Sequence, residues 1–380
     1  MTGPVDVAVI GGGLAGPAAA IRLARAGRRV RLVEKQAAAH DKVCGAFLSG
    51  EAMAALEALG LDPGRLGAVP IGRVGFAAGR RLVAARLPFP AASLSRRVLD
   101  EALLQAAADA GATVTRGRAA RALVTSADGA AVRLDDGEVV RARAVFVATG
   151  KHDLPGRPRP PGGNDLVGFK MAYRGGRGLD GLAADRVDVA PFRGGYAGIQ
   201  PIGTGDLNLC FLVDRSRLHA AGGRFDALVP DLLAESPLLA ARLDGAAPLS
   251  DKPLAIARVP YGFVRTRTDG PVWWLGDQAA VIPSFTGDGM AIALVSARLA
   301  AEAFLAGGNA ADFQAALAER TRAPVRRAGV VAALLDRPAA LAAASMAVRA
   351  APVILAGVAA ATRVARDRPT GALSSSPRPR

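Results

Sequence analysis

The strand-like run VDVAVI, residues 5–10, leads directly into Gly11, Gly13 and Gly16, which form the pattern G-x-G-x-x-G at the start of the small-residue helix PAAAIRLARAG. In a β-α-β unit such glycines permit a tight turn, close approach of a pyrophosphate to the backbone, and close packing of the helix on the strand. Glu34 ends the next strand-like run, where a carboxylate accepts hydrogen bonds from a ribose. The pattern therefore predicts an α/β fold with a Rossmann-type domain that binds a dinucleotide.

The rest of the chain alternates in character, which predicts that a second domain is inserted into the first. Short strand patterns separated by Gly-containing turns, such as DRVDVAPF, GGYAGIQPI and DLNLCFLV, indicate antiparallel β structure, and the α/β pattern resumes at VWWLGDQ. We predict the first part of the dinucleotide-binding domain at residues 1–164, a β-rich substrate domain at 165–268, the last part of the first domain at 269–310, and a C-terminal helical cap with a basic tail at 311–380.

Composition narrows the range of partners and compartments. The chain of 380 residues has a net charge of +15, but only 4% of its residues are aromatic, and no nucleic-acid recognition motif accompanies the charge, so nucleic acid is not expected as a partner. The two cysteines, Cys44 and Cys210, are too few for a disulfide framework, and no signal peptide is evident, so a cytoplasmic location is expected. No metal-ligand spacing is present, and no metal site or obligate protein partner is expected.

The C-terminal region is the most basic part of the chain. From residue 320 onward, arginines far outnumber the acids Asp336 and Asp367, and the apolar segment 338–362 is interrupted by Arg349 and Pro352. This pattern favours packed or interfacial helices over a membrane span. The basic helices are therefore candidates for peripheral contact with a membrane.

A second glycine-rich stretch, GDQAAVIPSFTGDGM at residues 276–290, lies between the apolar run VWWL and a helix-like segment. With the fingerprint, with KVCG at 42–45 and with R-x-x-L-D-x-x-L at 96–103, it resembles the flavoprotein superfamily of the geranylgeranyl reductases and the class A flavin monooxygenases of the para-hydroxybenzoate hydroxylase type. The resemblance implies a non-covalently bound FAD. It also implies that the dinucleotide site holds FAD rather than a nicotinamide cofactor. NAD(P)H is then expected as the electron donor that reduces the flavin.

The resemblance also implies roles for individual residues. Arg96 would lie near the phosphate and ribityl portion of FAD, Asp277 would bind the ribityl chain, and Pro283 would flank the isoalloxazine. Backbone N–H groups from Thr286 to Met290 would face the pyrimidine edge of the flavin. Asp288 is expected to act mainly as an acid in the first turn of the following helix. The predicted cofactor contacts are thus Gly11, Gly13, Gly16, Glu34, Cys44, Gly45, Arg96, Gly276, Asp277, Pro283, Thr286, Gly287, Gly289 and Met290.

The chain departs from the family pattern at two places. Family members commonly carry A-D-G after the returning strand, whereas this chain has ATGKHD, with Thr149 in place of the aspartate. The charged residues of that stretch, 151–153, either compensate near the cofactor or form an exposed polar loop. In place of the reductase motif Y-x-W-x-F-P the chain has YAGIQP, with Gly198 replacing the tryptophan and Gln200 the phenylalanine, which disfavours a polyprenyl-lipid pocket of that kind. Tyr196, Gln200 and Pro201 are the predicted substrate contacts.

These features favour an NAD(P)H-dependent FAD monooxygenase that hydroxylates a lipophilic aromatic or polyketide-like small molecule. Two alternatives stay open. One is a geranylgeranyl reductase-like enzyme that reduces carbon–carbon double bonds of an isoprenoid or lipid, which the TGDG form of the flavin loop favours. The other is a non-catalytic, flavin-bound scaffold. No catalytic acid or base can be assigned from the sequence.

Overall fold

A computed structural model of the chain describes residues 3–126, 128–176 and 181–364. It confirms the predicted α/β class, because two large sheets are combined with helices on their faces. The strands are β1 Val5–Ile10, β2 Val30–Glu34, β3 Phe47–Ser49, β4 Val69–Ala78, β5 Arg81–Ser93, β6 Thr113–Arg116, β7 Ala120–Ser126, β8 Gly129–Leu134, β9 Val139–Val147, β10 Leu166–Gly175, β11 Arg186–Phe192, β12 Gly195–Ile202, β13 Asp206–Asp214, β14 Ala246–Pro248, β15 Leu254–Ala257 and β16 Val272–Trp274. The helices are α1 Ala15–Arg25, α2 Gly50–Glu57, α3 Arg96–Asp109, α4 Arg215–Ala220, α5 Phe225–Glu235, α6 Pro237–Leu243, α7 Gly289–Leu305, α8 Ala310–Leu335, α9 Pro338–Ala350 and α10 Val353–Ala361.

The first sheet is the dinucleotide-binding layer. Its strand order is β6-β2-β1-β9-β8-β7, and β16 pairs with the end of β9. The pairs β1–β2, β1–β9, β2–β6 and β9–β16 are parallel, so their carboxyl ends meet at one edge, where ligands of open α/β sheets bind. Helices α1 and α7 contact each other beside this sheet, and both begin at that edge.

The second sheet draws on two separate parts of the sequence. Its strand order is β14-β10-β13-β12-β11-β4-β5-β3, with β15 paired to β10. Strands β10 to β15 lie in the predicted substrate domain, but β3, β4 and β5 come from residues 47–93, which the sequence assigned to the first domain. They join through the parallel pair β11–β4. Residue 164 therefore divides the sequence into two stretches, but the stretch before it contributes strands to both sheets.

The C-terminal helices cover one side of the second sheet. Helix α9 contacts β4, and α10 contacts β5. Within the described residues, no single helix has both the length and the apolar composition of a membrane span; α8 and α9 reach them only as a pair, which bends by 105°. The end of the predicted basic tail, after residue 364, lies outside the described residues.

Candidate active site

The turn after β1 shows why its glycines are required. Gly11 has a φ of +111°, and a Cβ there would lie 2.3 Å from the carbonyl oxygen of Ala148 on the neighbouring strand end. A Cβ on Gly16 would lie 1.9 Å from the carbonyl oxygen of Gly11. These two glycines therefore allow α1 to pack on the sheet. Gly11 also lines the cavity described below, whereas Gly16 does not.

Gly13 has a different environment, because it faces cations rather than backbone. A Cβ at Gly13 would lie 3.4 Å from Nη2 of Arg96 and 3.4 Å from Nζ of Lys42. Asp100 holds both cations: Arg96 donates to its two oxygens at 2.8 and 2.9 Å, and the Lys42 ammonium lies 2.8 Å from Oδ2. Two cations and one carboxylate beside the first turn of a helix fit an anionic pyrophosphate.

The electrostatics of this group keep it charged. Burial alone would lower the pKa of Arg96, but interactions with Asp100 and Cys44 together outweigh burial and raise that pKa above its ordinary value. Burial would likewise raise the pKa of Asp100, and the attraction of Arg96 and Lys42 lowers it instead. The buried cation that faces Gly13 is therefore permanent at physiological pH.

Glu34 is buried and lies at the expected end of β2. Its Oε2 accepts a hydrogen bond from the backbone N–H of Gly12 at 2.6 Å, and Oε1 accepts one from Gln36 at 2.9 Å. The two backbone donors fix the carboxylate next to the fingerprint. Because each carboxylate oxygen can accept more than one hydrogen bond, this arrangement is compatible with the predicted ribose contact.

Asp277 lies on the short turn after β16, beside the loop in which Thr149 replaces the family's aspartate. The Lys151 ammonium lies 3.4 Å from Oδ2 of Asp277, and that carboxylate raises the pKa of Lys151. Arg159 is buried and ties the two loops together by donating to the carbonyl oxygens of Asp277 and Lys151, both at 2.7 Å. Lys151 is half-buried, His152 and Asp153 are exposed, and all three line the cavity described below.

The loop before α7 is shaped by Gly287 and by the hydroxyl of Thr286. Gly287 has a φ of +68°, and a Cβ there would lie 2.6 Å from the ring of Phe47. The Thr286 hydroxyl donates to the carbonyl oxygen of Pro283 at 2.9 Å and accepts from the N–H of Asp288 at 3.2 Å. These bonds turn the backbone of residues 284–290 toward the cavity, while Pro283 is not among the residues that line it.

The expectation for Asp288 was wrong. It is the N-cap residue of α7, but its side chain makes no capping hydrogen bond. The carboxylate instead accepts from the N–H of Val364 at 2.6 Å and pairs with Arg363 at 3.1 Å. Its role is therefore to hold the end of the C-terminal helices against the flavin loop.

The two cysteines line the same cavity in opposite electrostatic surroundings. Burial would raise the pKa of Cys44, but the cations of Arg96 and Lys151 outweigh it, and the pKa lies below its ordinary value. Burial dominates at Cys210 and raises its pKa to about 12. A lone thiolate-prone cysteine therefore lies where the motif KVCG predicts contact with the cofactor.

One cavity of about 1330 Å³ joins all of these parts. That is more than a single drug-sized ligand occupies, and it leaves room for a substrate beside a dinucleotide. Of the predicted substrate contacts, Tyr196 and Gln200 line it; Pro201 instead pairs with Leu207 across β12 and β13. Every predicted cofactor contact except Gly16 and Pro283 also lines it.

Known proteins resemble this chain in sequence and in fold. Residues 4–152 match the family described as FAD binding domain. A menaquinone reductase of Mycolicibacterium smegmatis is 31% identical over 80% of this chain and 77% of its own length. The chain belongs to the FAD-dependent oxidoreductase family of that enzyme. A menaquinone reductase of Mycobacterium tuberculosis is 28% identical over 78% of this chain and 76% of its own length.

Solved structures of FAD-dependent oxidoreductases share the fold. A flavin-dependent brominase superposes with a TM-score of 0.79, at 16% identity over 96% of this chain and 95% of its own. PqsL of Pseudomonas aeruginosa, a probable FAD-dependent monooxygenase, gives 0.69 at 20% identity over 91% of this chain and 100% of its own. These distant structures support the predicted fold alone, whereas the predicted flavoprotein family is confirmed by the FAD-binding match and by the menaquinone reductase at 31% identity.

Several functional residues of this oxidoreductase were missed by sequence reasoning. Lys42 pairs with Asp100 beside the fingerprint, and Arg159 donates to the carbonyl oxygen of Asp277. Arg363 pairs with Asp288 at the flavin loop. Lys42 begins the quoted motif KVCG, so its position was a usable signal. Arg159 and Arg363 lie among many arginines of an arginine-rich chain, and nothing local to either one distinguishes it.

Proposed function

We propose that the chain is an FAD-dependent reductase that acts on a double bond of a long apolar lipid of the isoprenoid or quinone class, with NAD(P)H as the electron donor. The observation that carries the proposal is the apolar extension of the cavity away from the glycine-rich turn. Its walls come from β4, β5 and β11 on one side and from the C-terminal helices on the other. They include Val74, Phe76, Leu87, Phe89, Val187, Val189, Leu335, Val348, Leu355 and Val358.

A long apolar substrate suits these walls because burial of apolar surface favours binding by about 25 cal/mol per Å². The curated relative at 31% identity is named a menaquinone reductase, which supports the same substrate class. The family's bulky tryptophan position is occupied here by Gly198, where a Cβ would find only the carbonyl oxygen of Cys210, at 3.8 Å. The site is therefore wider at this point than the motif Y-x-W-x-F-P would make it.

Bound FAD would supply the hydride equivalent in such a reaction. The chain must then orient the acceptor and hold a proton near it. Tyr196 lines the cavity, its buried hydroxyl lies beside Ser284 and the backbone of Phe285, and burial raises its pKa well above the ordinary value. A hydroxyl that stays protonated in the cavity wall is suited to donate to a polar group of the substrate.

A pair of hydroxyl groups also lies in the cavity wall. The hydroxyls of Tyr261 and Ser284 are 2.8 Å apart, and burial raises the pKa of Tyr261 to about 12. Both residues line the cavity. We assign Tyr196 as the first candidate for proton delivery and the Tyr261–Ser284 pair as the second.

Hydroxylation of an aromatic substrate is the second candidate function. The observation that favours it is the buried side chain of Gln200, which lines the cavity and donates to the hydroxyl of Ser93 at 2.6 Å. Such a pair could receive a phenol or carbonyl group of a ring substrate. A reductase has no evident need for it at that place.

Anaerobic single turnover separates the two. The FAD-loaded protein is reduced without oxygen, mixed with menaquinone or with a geranylgeranyl lipid, and the product is examined by mass spectrometry. A product heavier by two hydrogens, which it keeps after air has reoxidised any quinol to quinone, supports the reductase. No anaerobic product, with one oxygen gained by an aromatic substrate after air is admitted, would overturn it. Absence of flavin reduction by NADH or NADPH would overturn the proposed donor.

A further inference from the structure

The outward side of α9 and α10 is unusual for a protein surface. Met346 and Val353 are 64% and 73% exposed. Between residues 338 and 361 the only charged residue is Arg349. The other exposed residues on these helices are mostly alanine, at 339, 342, 343, 347, 350, 360 and 361. We call this exposed side the α9–α10 surface. A contiguous exposed apolar patch marks an interaction site or a membrane contact.

The opposite side of the same helices forms part of the proposed substrate site. Val348 is buried against Phe76, and Leu355 packs with them. Two residues belong to both sides: Ala347 is exposed, Ile354 is 38% exposed, and both line the cavity. The cavity therefore reaches the α9–α10 surface, and its opening there is apolar.

The charged residues near this surface are mostly basic. Arg326, Arg327, Arg337 and Arg349 are exposed, and Asp336 is the only acidic residue between 320 and 364. A second copy of the chain on this surface would bring these like charges together, which is unfavourable. An anionic lipid headgroup layer is complementary to them and attracts basic residues near the surface.

We propose that the α9–α10 surface docks on an anionic lipid bilayer, so that the mouth of the cavity at Ala347 and Ile354 faces the lipid. The helices would lie in the interface, as amphipathic helices with a basic border do. The docking itself is independent of the reaction; entry of substrate from the bilayer rests on the proposed function.

The test is co-sedimentation of the FAD-loaded full chain with phosphatidylcholine vesicles, with and without phosphatidylglycerol, in the absence of an electron donor. The test variant is Met346→Glu with Val353→Glu. The matched control is Val124→Glu with Val139→Glu, since these valines of the first sheet are also 65% and 41% exposed. Absorbance of bound FAD and the thermal midpoint check that both variants fold.

We expect the unaltered chain and the control to bind phosphatidylglycerol vesicles, more weakly as salt rises, and the test variant to lose about tenfold or more in affinity. Equal binding by the test and control variants would overturn the proposal. So would a dimer in sedimentation analysis that ignores vesicles and dissociates in the test variant. Because no turnover is needed, failure of the reductase assignment leaves this result readable.

Discussion

Arg363, two residues beyond the end of α10, forms an ion pair with Asp288, the N-cap residue of α7, with Nη1 and Oδ1 3.1 Å apart. The same guanidinium donates to the carbonyl oxygen of Thr286 and lies 5.0 Å from the centroid of the Phe89 ring. The helices that carry the α9–α10 surface are thereby joined to the loop predicted to contact the flavin. The buried Arg363–Asp288 pair therefore connects the α9–α10 surface to the predicted flavin site.

Removing the carboxylate from this pair should destabilise the protein. Burial raises the pKa of Asp288 and lowers that of Arg363, so each charge depends on the other. Asp288→Asn leaves the cation without its partner, and we expect a loss of about 3–5 kcal/mol in the free energy of unfolding, measured by urea denaturation.

An exposed ion pair provides the control for that measurement. Arg298 and Glu302 lie one turn apart on α7 at 2.9 Å, and Glu302→Gln should cost no more than about 0.5 kcal/mol. Adding Arg363→Met to Asp288→Asn should recover part of the loss, since no buried charge then remains. Similar small losses in all three variants would show that the buried pair does not hold the C terminus.

Much of the site follows from local sequence, and the reasons are physical. The turn at Gly11 and the start of α1 are encoded within one short segment, because glycine spacing and helix periodicity act over a few residues. The partner of a strand is not encoded in this way, and β4 and β5 therefore joined a sheet that the sequence had not assigned to them. The contacts of Arg159 and Val364 join residues 118 and 76 positions apart. No local pattern specifies such pairs.

Gly13 should matter for the cofactor without mattering for the fold. A Cβ at Gly13 meets only the flexible ends of Arg96 and Lys42, whereas a Cβ at Gly16 meets backbone at 1.9 Å. We expect purified Gly13→Val to keep its thermal midpoint as apoprotein and to lose FAD, seen as loss of yellow colour and a raised Kd. Gly329→Ala, in α8 with no atom within 4 Å of the added Cβ, is the control and should retain FAD. An unfolded Gly13→Val protein would contradict this reading of the turn.

Lys151 should tune the potential of the flavin. Reduction of FAD adds negative charge, which a nearby cation stabilises, and Lys151 lies beside the predicted ribityl contact, Asp277. We expect Lys151→Gln to lower the midpoint potential by on the order of 30 mV, equivalent to about 1.4 kcal/mol for two electrons. Lys151→Arg should restore it. An unchanged potential in Lys151→Gln would place this ammonium away from the isoalloxazine.

The two cysteines should differ in the pH dependence of alkylation in the apoprotein. Only the thiolate reacts. The lowered pKa of Cys44 means that its rate with iodoacetamide should level off below the pH typical of a free thiol, about 8.5. The pKa of Cys210, about 12, means that its rate should still be rising at high pH. Peptide mapping of the single variants Cys44→Ser and Cys210→Ser assigns each profile; two parallel profiles would refute the electrostatic difference.

The length of substrate that the cavity accepts should depend on Gly198. Its added Cβ would make only an ordinary contact, 3.8 Å from the carbonyl oxygen of Cys210, and the residue lines the cavity. Gly198→Trp therefore places a large ring in open space between the flavin loop and the apolar walls, without a clash to unfold the strand. We expect a fall of about tenfold or more in kcat/KM for a menaquinone with a long isoprenoid chain, a smaller fall for a menaquinone with a short isoprenoid chain, and no change in the rate of flavin reduction by NAD(P)H. Gly198→Ala should leave all three rates close to those of the unaltered chain. Equal losses for long and short substrates in Gly198→Trp would mean that the apolar extension is not where the lipid binds.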